Sequence, residues 1–140
     1  MKGYFLFHNT AANLIILIGS RVLMGHVWVN VKLINPLTGR EIETKALVDT
    51  GATFTVIPRH IYEELGLRTV GKRRVKTASG YVDMDESFAL VEVGNRRGIS
   101  PVLVSSGLNK VLIGVITLEA LGLTVDPTTG GLRETEILML

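Results

Sequence analysis

There is no cysteine anywhere in this chain of 140 residues. That excludes a disulfide framework, a thiolate metal site and a cysteine nucleophile. Histidine is sparse as well. His8, His26 and His60 lie far apart and form no pair at ligand spacing, which argues against a zinc site. Net charge is nearly absent: 15 Lys and Arg against 13 Asp and Glu leave +2, too little to point to nucleic acid. No long apolar run is present either. The longest clean one near the N-terminus, Leu14 to Ile18, falls far short of the ~20 residues that span a bilayer. Membrane association is therefore not expected. Lys2 ahead of that run gives only a faint signal-peptide look, and a cytoplasmic location is the expectation.

What is present reads as one globular domain. The hydrophobic share is 46% and the charged share 20%, and the length suffices to bury a core without covalent staples. The domain pattern begins at about Met24. Residues 24–140 are read as the domain, and residues 1–23 either as an extension or as an extra strand or arm packed on it.

Short strands separated by turn signals follow from Gly25 onward, which marks an all-β chain. In "HVWVNVKLI", Val27, Val29, Val31 and Leu33 alternate with His26, Trp28, Asn30 and Lys32, so one face of that strand is buried. "NPLTGR" is a turn, and "EIETKALV" returns as the second strand of a hairpin. "PRHIYEELGL" is a helix of about two turns, with Pro58 in its first turn and Gly66 just past its end. "RRVKTASGYVDMDESFALVEV" is a long hairpin with Ala78, Ser79 and Gly80 at its tip. After the "GNRRG" turn come the strands "ISPVLV" and "KVLIG", then a second short helix with Thr117 as its expected N-cap and Gly122 as its stop. "DPTTGG" turns into a last strand within "LRETEILML". Both helices follow a short apolar strand and end in Leu-Gly-Leu, which suggests two similar halves. Trp28 is out of phase with the valines, so it packs under the N-terminal segment or belongs to a dimer surface.

"ALVDTGATFTVI" places a single carboxylate, Asp49, between two apolar runs. Gly51 permits a tight loop, and local amides and the Thr50 hydroxyl can hydrogen-bond a carboxylate. A structural turn would account for the tripeptide alone. The flanks, however, put the loop in the core, where an ionised carboxylate is costly unless compensated and is often functional.

The string "ALVDTGAT", followed by Ile57-Pro58 and a short helix, resembles the retroviral-type (retropepsin-like) aspartic proteases. "TASG" falls where that family has its flap tip, and "VLIG" where it has two apolar residues and a glycine before its C-terminal helix. The resemblance runs from about Gly25 to the C-terminus. It implies a closed acid-protease barrel with one or two short helices and a flap hairpin. It also implies that Asp49 is catalytic and that Thr50 holds two active-site loops together across a dimer. Gly51 and Ala52 would shape the loop and offer backbone groups to substrate. Ala78, Ser79 and Gly80 would cover the substrate, and Leu112, Ile113 and Gly114 would support the loop. One departure is Ile116, where many cellular relatives carry aspartate.

Pepsin-like proteases carry two such motifs in one chain, and this chain has one. "SSGL", Ser105 to Leu108, lacks the carboxylate. The implied enzyme is thus a homodimeric aspartic endopeptidase acting on peptide or protein substrates, with no metal or cofactor and no nucleic acid partner. The alternative is a catalytically silent protease-fold module that serves in binding or dimerisation. Two weaker signals have bland explanations. The basic run "GKRRVK" reads as a solvated strand leading into the flap. Asp83, Asp85 and Glu86 lack the glycine-bearing loop of a calcium site.

Overall fold

The computed structural model describes the backbone of residues 14–18, 21–25 and 27–135, with side chains from residue 27 onward. Two strands, β1 (Leu14–Ile18) and β2 (Arg21–Gly25), pair antiparallel as a separate two-stranded sheet.

The main sheet begins with β3 (Val27–Ile34) and β4 (Glu41–Val48), antiparallel over their full length. Their turn is built on Asn35, which is buried. Its Oδ1 accepts from the Leu37 N–H at 2.9 Å, and its amide donates to the Leu65 carbonyl at 3.0 Å. The turn is thereby fastened to the end of the first helix, and Gly39 supplies the positive φ (+78°) that closes it. The elements that follow are β5 (Thr55–Pro58), α1 (Arg59–Leu65), β6 (Gly71–Thr77), β7 (Gly80–Val93), β8 (Arg96–Ser105), β9 (Val111–Ile113), α2 (Val115–Leu121), β10 (Leu123–Val125) and β11 (Leu132–Glu134).

The order β3-β4-β9-β5-β8-β7-β6, together with a β3–β7 pairing, closes six strands into a barrel and leaves β6 outside. This is the expected all-β barrel with a flap and two short helices. The valine alternation in β3 is visible in its burial: Val27, Val31 and Leu33 are buried, and Val29 is half-buried. Leu33, Val48, Ile57, Val91, Val102 and Ile113 are completely enclosed, each contributing about 1.5–3 kcal/mol of burial.

Two similar halves are apparent in the pairing. β4 runs parallel to β9, β5 runs parallel to β8, and β5 meets β9 antiparallel at Val56 and Leu112. Each helix has seven residues and ends on a left-handed glycine, Gly66 or Gly122. The N–H of each glycine bonds back at 3.0 Å to the carbonyl of Glu63 or Glu119.

β7 does two jobs along its 14 residues. From Gly80 to Glu86 it pairs with β6, and from Asp85 to Val93 it pairs with β8 inside the barrel. The flap is therefore an extension of a barrel strand. The last strand expected in "LRETEILML" is present as Leu132–Glu134, paired with β10; residues 136–140 lie outside the described part.

The expected N-cap of the second helix is corrected. α2 starts at Val115, with Gly114 in the cap position and no side-chain cap. Its first N–H groups do not need one. The Val115 N–H donates to the Ala52 carbonyl at 2.9 Å and the Ile116 N–H to the Thr53 carbonyl at 3.0 Å. Thr117 lies inside the helix and is fully buried.

Trp28 is half-buried beside Leu47 of β4, and its indole Nε1 is enclosed with no hydrogen-bond partner among the described residues.

Candidate active site

β4 ends at Val48 and hands Asp49 to a tight loop. The Asp49 N–H donates to the Ile113 carbonyl at 2.9 Å, so β9 continues to hold the chain where the strand stops. The loop then turns back on itself. Asp49 Oδ1 accepts from the Gly51 N–H at 2.9 Å, and the Asp49 carbonyl accepts from the Ala52 N–H at 3.1 Å. The carboxylate is oriented by its own loop rather than by a neighbouring cation. It is not enclosed: Asp49 and Thr50 are half-buried and Gly51 is exposed. The burial expected from the apolar flanks belongs to Ala46, Leu47, Val48 and Ile57. The loop itself leaves the barrel at the strand ends, where it is partly open to solvent.

Support comes from below. Leu112 and Ile113 pair with Leu47 and Val48 across the β4–β9 ladder. Gly114 lies so close to the loop that a Cβ there would sit 2.5 Å from the Phe54 carbonyl carbon and oxygen and 3.0 Å from the Ala52 oxygen. Only glycine allows this approach. The approach in turn lets the start of α2 donate to the loop carbonyls.

Beneath the loop lies a chain of buried hydroxyls that the sequence reading did not single out. The Gly114 N–H donates to Thr55 Oγ1 at 3.0 Å. Thr55 Oγ1 bonds Thr117 Oγ1, which bonds Ser100 Oγ at 2.7 Å, and Ser100 reaches the Pro101 carbonyl at 3.1 Å. Each hydroxyl has one proton to give. One direction satisfies them all: Gly114 donates to Thr55, Thr55 to Thr117, Thr117 to Ser100, and Ser100 to Pro101. Thr55, Thr117 and Ser100 are all fully buried, so an unpaired member would be costly. A signal was available, because each hydroxyl residue occupies a core-phase position in its own element.

The hairpin tip is a two-residue turn, Ala78-Ser79, with Thr77 paired to Gly80. Gly80 carries the positive φ (+124°), and Thr77 Oγ1 donates to the Gly80 carbonyl at 2.8 Å. All three tip residues are exposed, and the side-chain bonds there are local. The root of the flap does meet the Asp49 loop. The two share a cavity of about 420 Å³ lined by Gly51, Ala52, Phe54, Arg73, Val75 and Met84 among others. Thr50 lines a separate cavity of about 450 Å³ with Val115, Leu118, Leu123 and Val125.

The charged residues of the flap neutralise one another. Lys72 faces Asp85 at 2.9 Å, Arg73 meets Glu86 at 3.1 Å and Arg74 meets Asp83 at 3.5 Å. Arg59 at the start of α1 also reaches Asp85 at 3.3 Å and donates to Ser106 Oγ at 3.1 Å. Hydrogen bonds from Lys72 and then Arg59 hold the Asp85 carboxyl below the usual aspartate range, and the same contact raises Lys72. This arrangement absorbs both weak signals. The basic run is a paired strand, and Asp83, Asp85 and Glu86 are counter-ions. Among the described residues no cluster of three or more His, Asp or Glu could hold a metal ion.

The Ser105 loop parallels the Asp49 loop. Ser105 ends β8 as Asp49 follows β4, and Ser105 Oγ accepts from the Gly107 N–H at 3.1 Å. The turn is repeated without the acid.

Comparison with known proteins agrees with this geometry. The family described as "gag-polyprotein putative aspartyl protease" matches residues 37–120, more than half of the chain. A search of curated proteins gives no match. Among solved structures, the simian foamy virus (mac) protease in solution is similar at a TM-score of 0.50 and 22% identity, over 66% of this chain and 92% of that one. The foamy viral protease–reverse transcriptase in complex with an RNA/DNA hybrid is similar at a TM-score of 0.52 and 20% identity, over 67% of this chain but 12% of that one. The fold is thus shared with the foamy virus protease, and through the match over residues 37–120 this chain belongs to the retroviral-type, retropepsin-like aspartyl protease family.

Proposed function

We propose that the protein is an aspartic endopeptidase assembled as a homodimer, with Asp49 of each subunit forming the catalytic pair. The observation that carries this reading is the Asp49 loop itself. One carboxylate is oriented by the Gly51 N–H, in a loop braced from beneath by Gly114, and is left partly exposed. A lone carboxylate cannot be base and acid in the same step. A two-fold axis beside the loop would supply the second.

Two adjacent carboxylates disfavour double ionisation, and the reaction uses the form in which the pair holds one proton. The ionised Asp49 takes a proton from water as the water oxygen bonds to the peptide carbonyl carbon. The partner subunit's Asp49 gives its proton to the carbonyl oxygen. Collapse of the resulting diol breaks the C–N bond: the proton held by the first carboxylate passes to the leaving nitrogen, and a diol hydroxyl returns its proton to the partner subunit's Asp49 as the new carbonyl forms. The flap closes over the peptide and limits water access.

Subunit mixing tests this reading. Asp49→Asn keeps the size and much of the hydrogen bonding but can neither ionise nor donate an acidic proton. Equal amounts of wild-type and Asp49→Asn chains, unfolded together and refolded, should retain about a quarter of the activity per total protein, the share of fully wild-type dimers under random pairing. A clean half, with exchange verified by mass spectrometry of tagged chains, would show that each subunit works alone. Absence of turnover across pH, with no effect of a transition-state mimic such as pepstatin, would favour a silent binding module.

A further inference from the structure

The cavity between the Asp49 loop and the flap root has a chemistry that peptide hydrolysis alone does not use. Its interior is apolar, formed by Ala52, Val56, Val75, Met84 and Leu103 with the Phe54 ring. Its charged lining is of one sign: Arg73, Arg74 and Lys76, with no carboxylate among the lining residues.

Arg73 is the best placed of the three. Alternation along β6 puts Arg73 on the same face as Val75, and its guanidinium lies 4.7 Å from the centre of the Phe54 ring. Its Nε and Nη2 donate to the two oxygens of Glu86 at 3.2 and 3.3 Å. Glu86 is largely enclosed, at 14% side-chain exposure, and Arg73 is about half-open at 47%. Glu86 thus grips one edge of the guanidinium and Phe54 supports its face. Two of five N–H groups are used. The Nη1 edge has no acceptor among the described residues. A planar donor edge held still at the mouth of an apolar cavity is well formed for a carboxylate.

We propose that Arg73 determines specificity for acidic peptides. The substrate places an apolar side chain in the cavity and a glutamate or aspartate two residues along at its mouth. In an extended peptide those two side chains lie on the same side. The carboxylate accepts from the Nη1 edge of Arg73. As a statement about cleavage this rests on the peptidase reading; as a statement about binding it does not, because the cavity is built from one chain.

The test uses pairs of peptides that differ only as Glu or Gln at that position. One pair is cleavable, and the other has its scissile amide reduced so that it binds without being cut. At about pH 6 a peptide glutamate is ionised. At low salt the Glu member should show a kcat/KM and an affinity about fivefold higher than the Gln member, and the ratio should shrink as added salt screens the charge. Arg73→Met combined with Glu86→Gln removes both charges without stranding Glu86, and should abolish the preference. Equal affinities for the reduced pair at low salt, or a preference that survives in the double variant, would overturn the proposal. Tighter binding of the acidic analogue without cleavage of either peptide would instead refute the peptidase reading and leave the subsite standing.

Discussion

Replacing Gly114 with alanine should damage this protein far more than the addition of one methyl group suggests. The new Cβ would stand 2.5 Å from the Phe54 carbonyl carbon and oxygen, which are backbone atoms with no rotamer to move aside. Ordinary contact needs at least ~3.2 Å, so the start of α2 and the Asp49 loop must separate by about 0.7 Å. Three hydrogen bonds cross that gap: Gly114 N–H to Thr55 Oγ1 at 3.0 Å, Val115 N–H to the Ala52 carbonyl at 2.9 Å, and Ile116 N–H to the Thr53 carbonyl at 3.0 Å. Losing two or three of them costs about 1–4 kcal/mol. Residual overpacking adds ~1–3 kcal/mol. A total of about 2–7 kcal/mol is a large part of the ~5–15 kcal/mol that holds a typical domain folded. Urea unfolding followed by the fluorescence of the single tryptophan, Trp28, would report it as a midpoint lower by ~1–3.5 M. Turnover should fall further than the folded fraction does, because the displaced loop carries Asp49. Gly71→Ala is the control. A Cβ there meets nothing within 4 Å and the backbone φ is ordinary, so its effect should stay within about 0.5 kcal/mol. A Gly114→Ala protein as stable as that control would refute the argument from close approach.

Thr117→Val keeps the side-chain shape but removes the middle of the hydroxyl chain, stranding the Thr55 proton. It should cost ~1–3 kcal/mol in the same unfolding assay, and Thr117→Ser should recover most of the loss. Gly80→Val forces a branched residue to a φ of +124° at an exposed tip, so turnover should drop by more than global stability does; parallel losses would make the hairpin merely structural. The Asp85 clamp has a definite pH sense. Because its carboxyl titrates below the usual aspartate range when folded, its contribution is present above the unfolded pKa and is lost as pH falls through the lowered value. Lys72, which is raised, keeps its contribution until pH climbs through its own raised value, above the ordinary 10.5. Hydrogen-exchange protection at the flap root, taken relative to the intrinsic rate at each pH, should therefore fall on acidification below about pH 4, and Asp85→Asn should remove most of that acid dependence.

Local pattern was enough for most strands of the main sheet, both helix stops, the hairpin tip and the Asp49 loop, but not for β10 or the β1–β2 pair. Period-two alternation in β3, Gly66 and Gly122 after short amphipathic runs, and Asp-Thr-Gly at the end of an apolar strand are all features of near neighbours along the chain. A resemblance carried by three short motifs in order supplied the family, and the match over residues 37–120 agrees with it. What depended on distance along the chain was not legible in the same way. Thr117 looked like a cap because capping is a local habit of threonine. In the fold, the helix start is satisfied by carbonyls more than 60 residues away, and Thr117 is free to bond Thr55 and Ser100 inside the core. Asp49 looked buried because its neighbours in sequence are, yet the barrel encloses the strands and leaves the loop open. Arg73 looked like one of several solvated cations, and only the crossing of β6 over the Asp49 loop laid it on Phe54. Composition and periodicity decide which residues go inside. Which carbonyl meets which N–H, and which cation meets which ring, is decided when the barrel closes, because those contacts exist only once segments far apart in the chain share the same few ångströms.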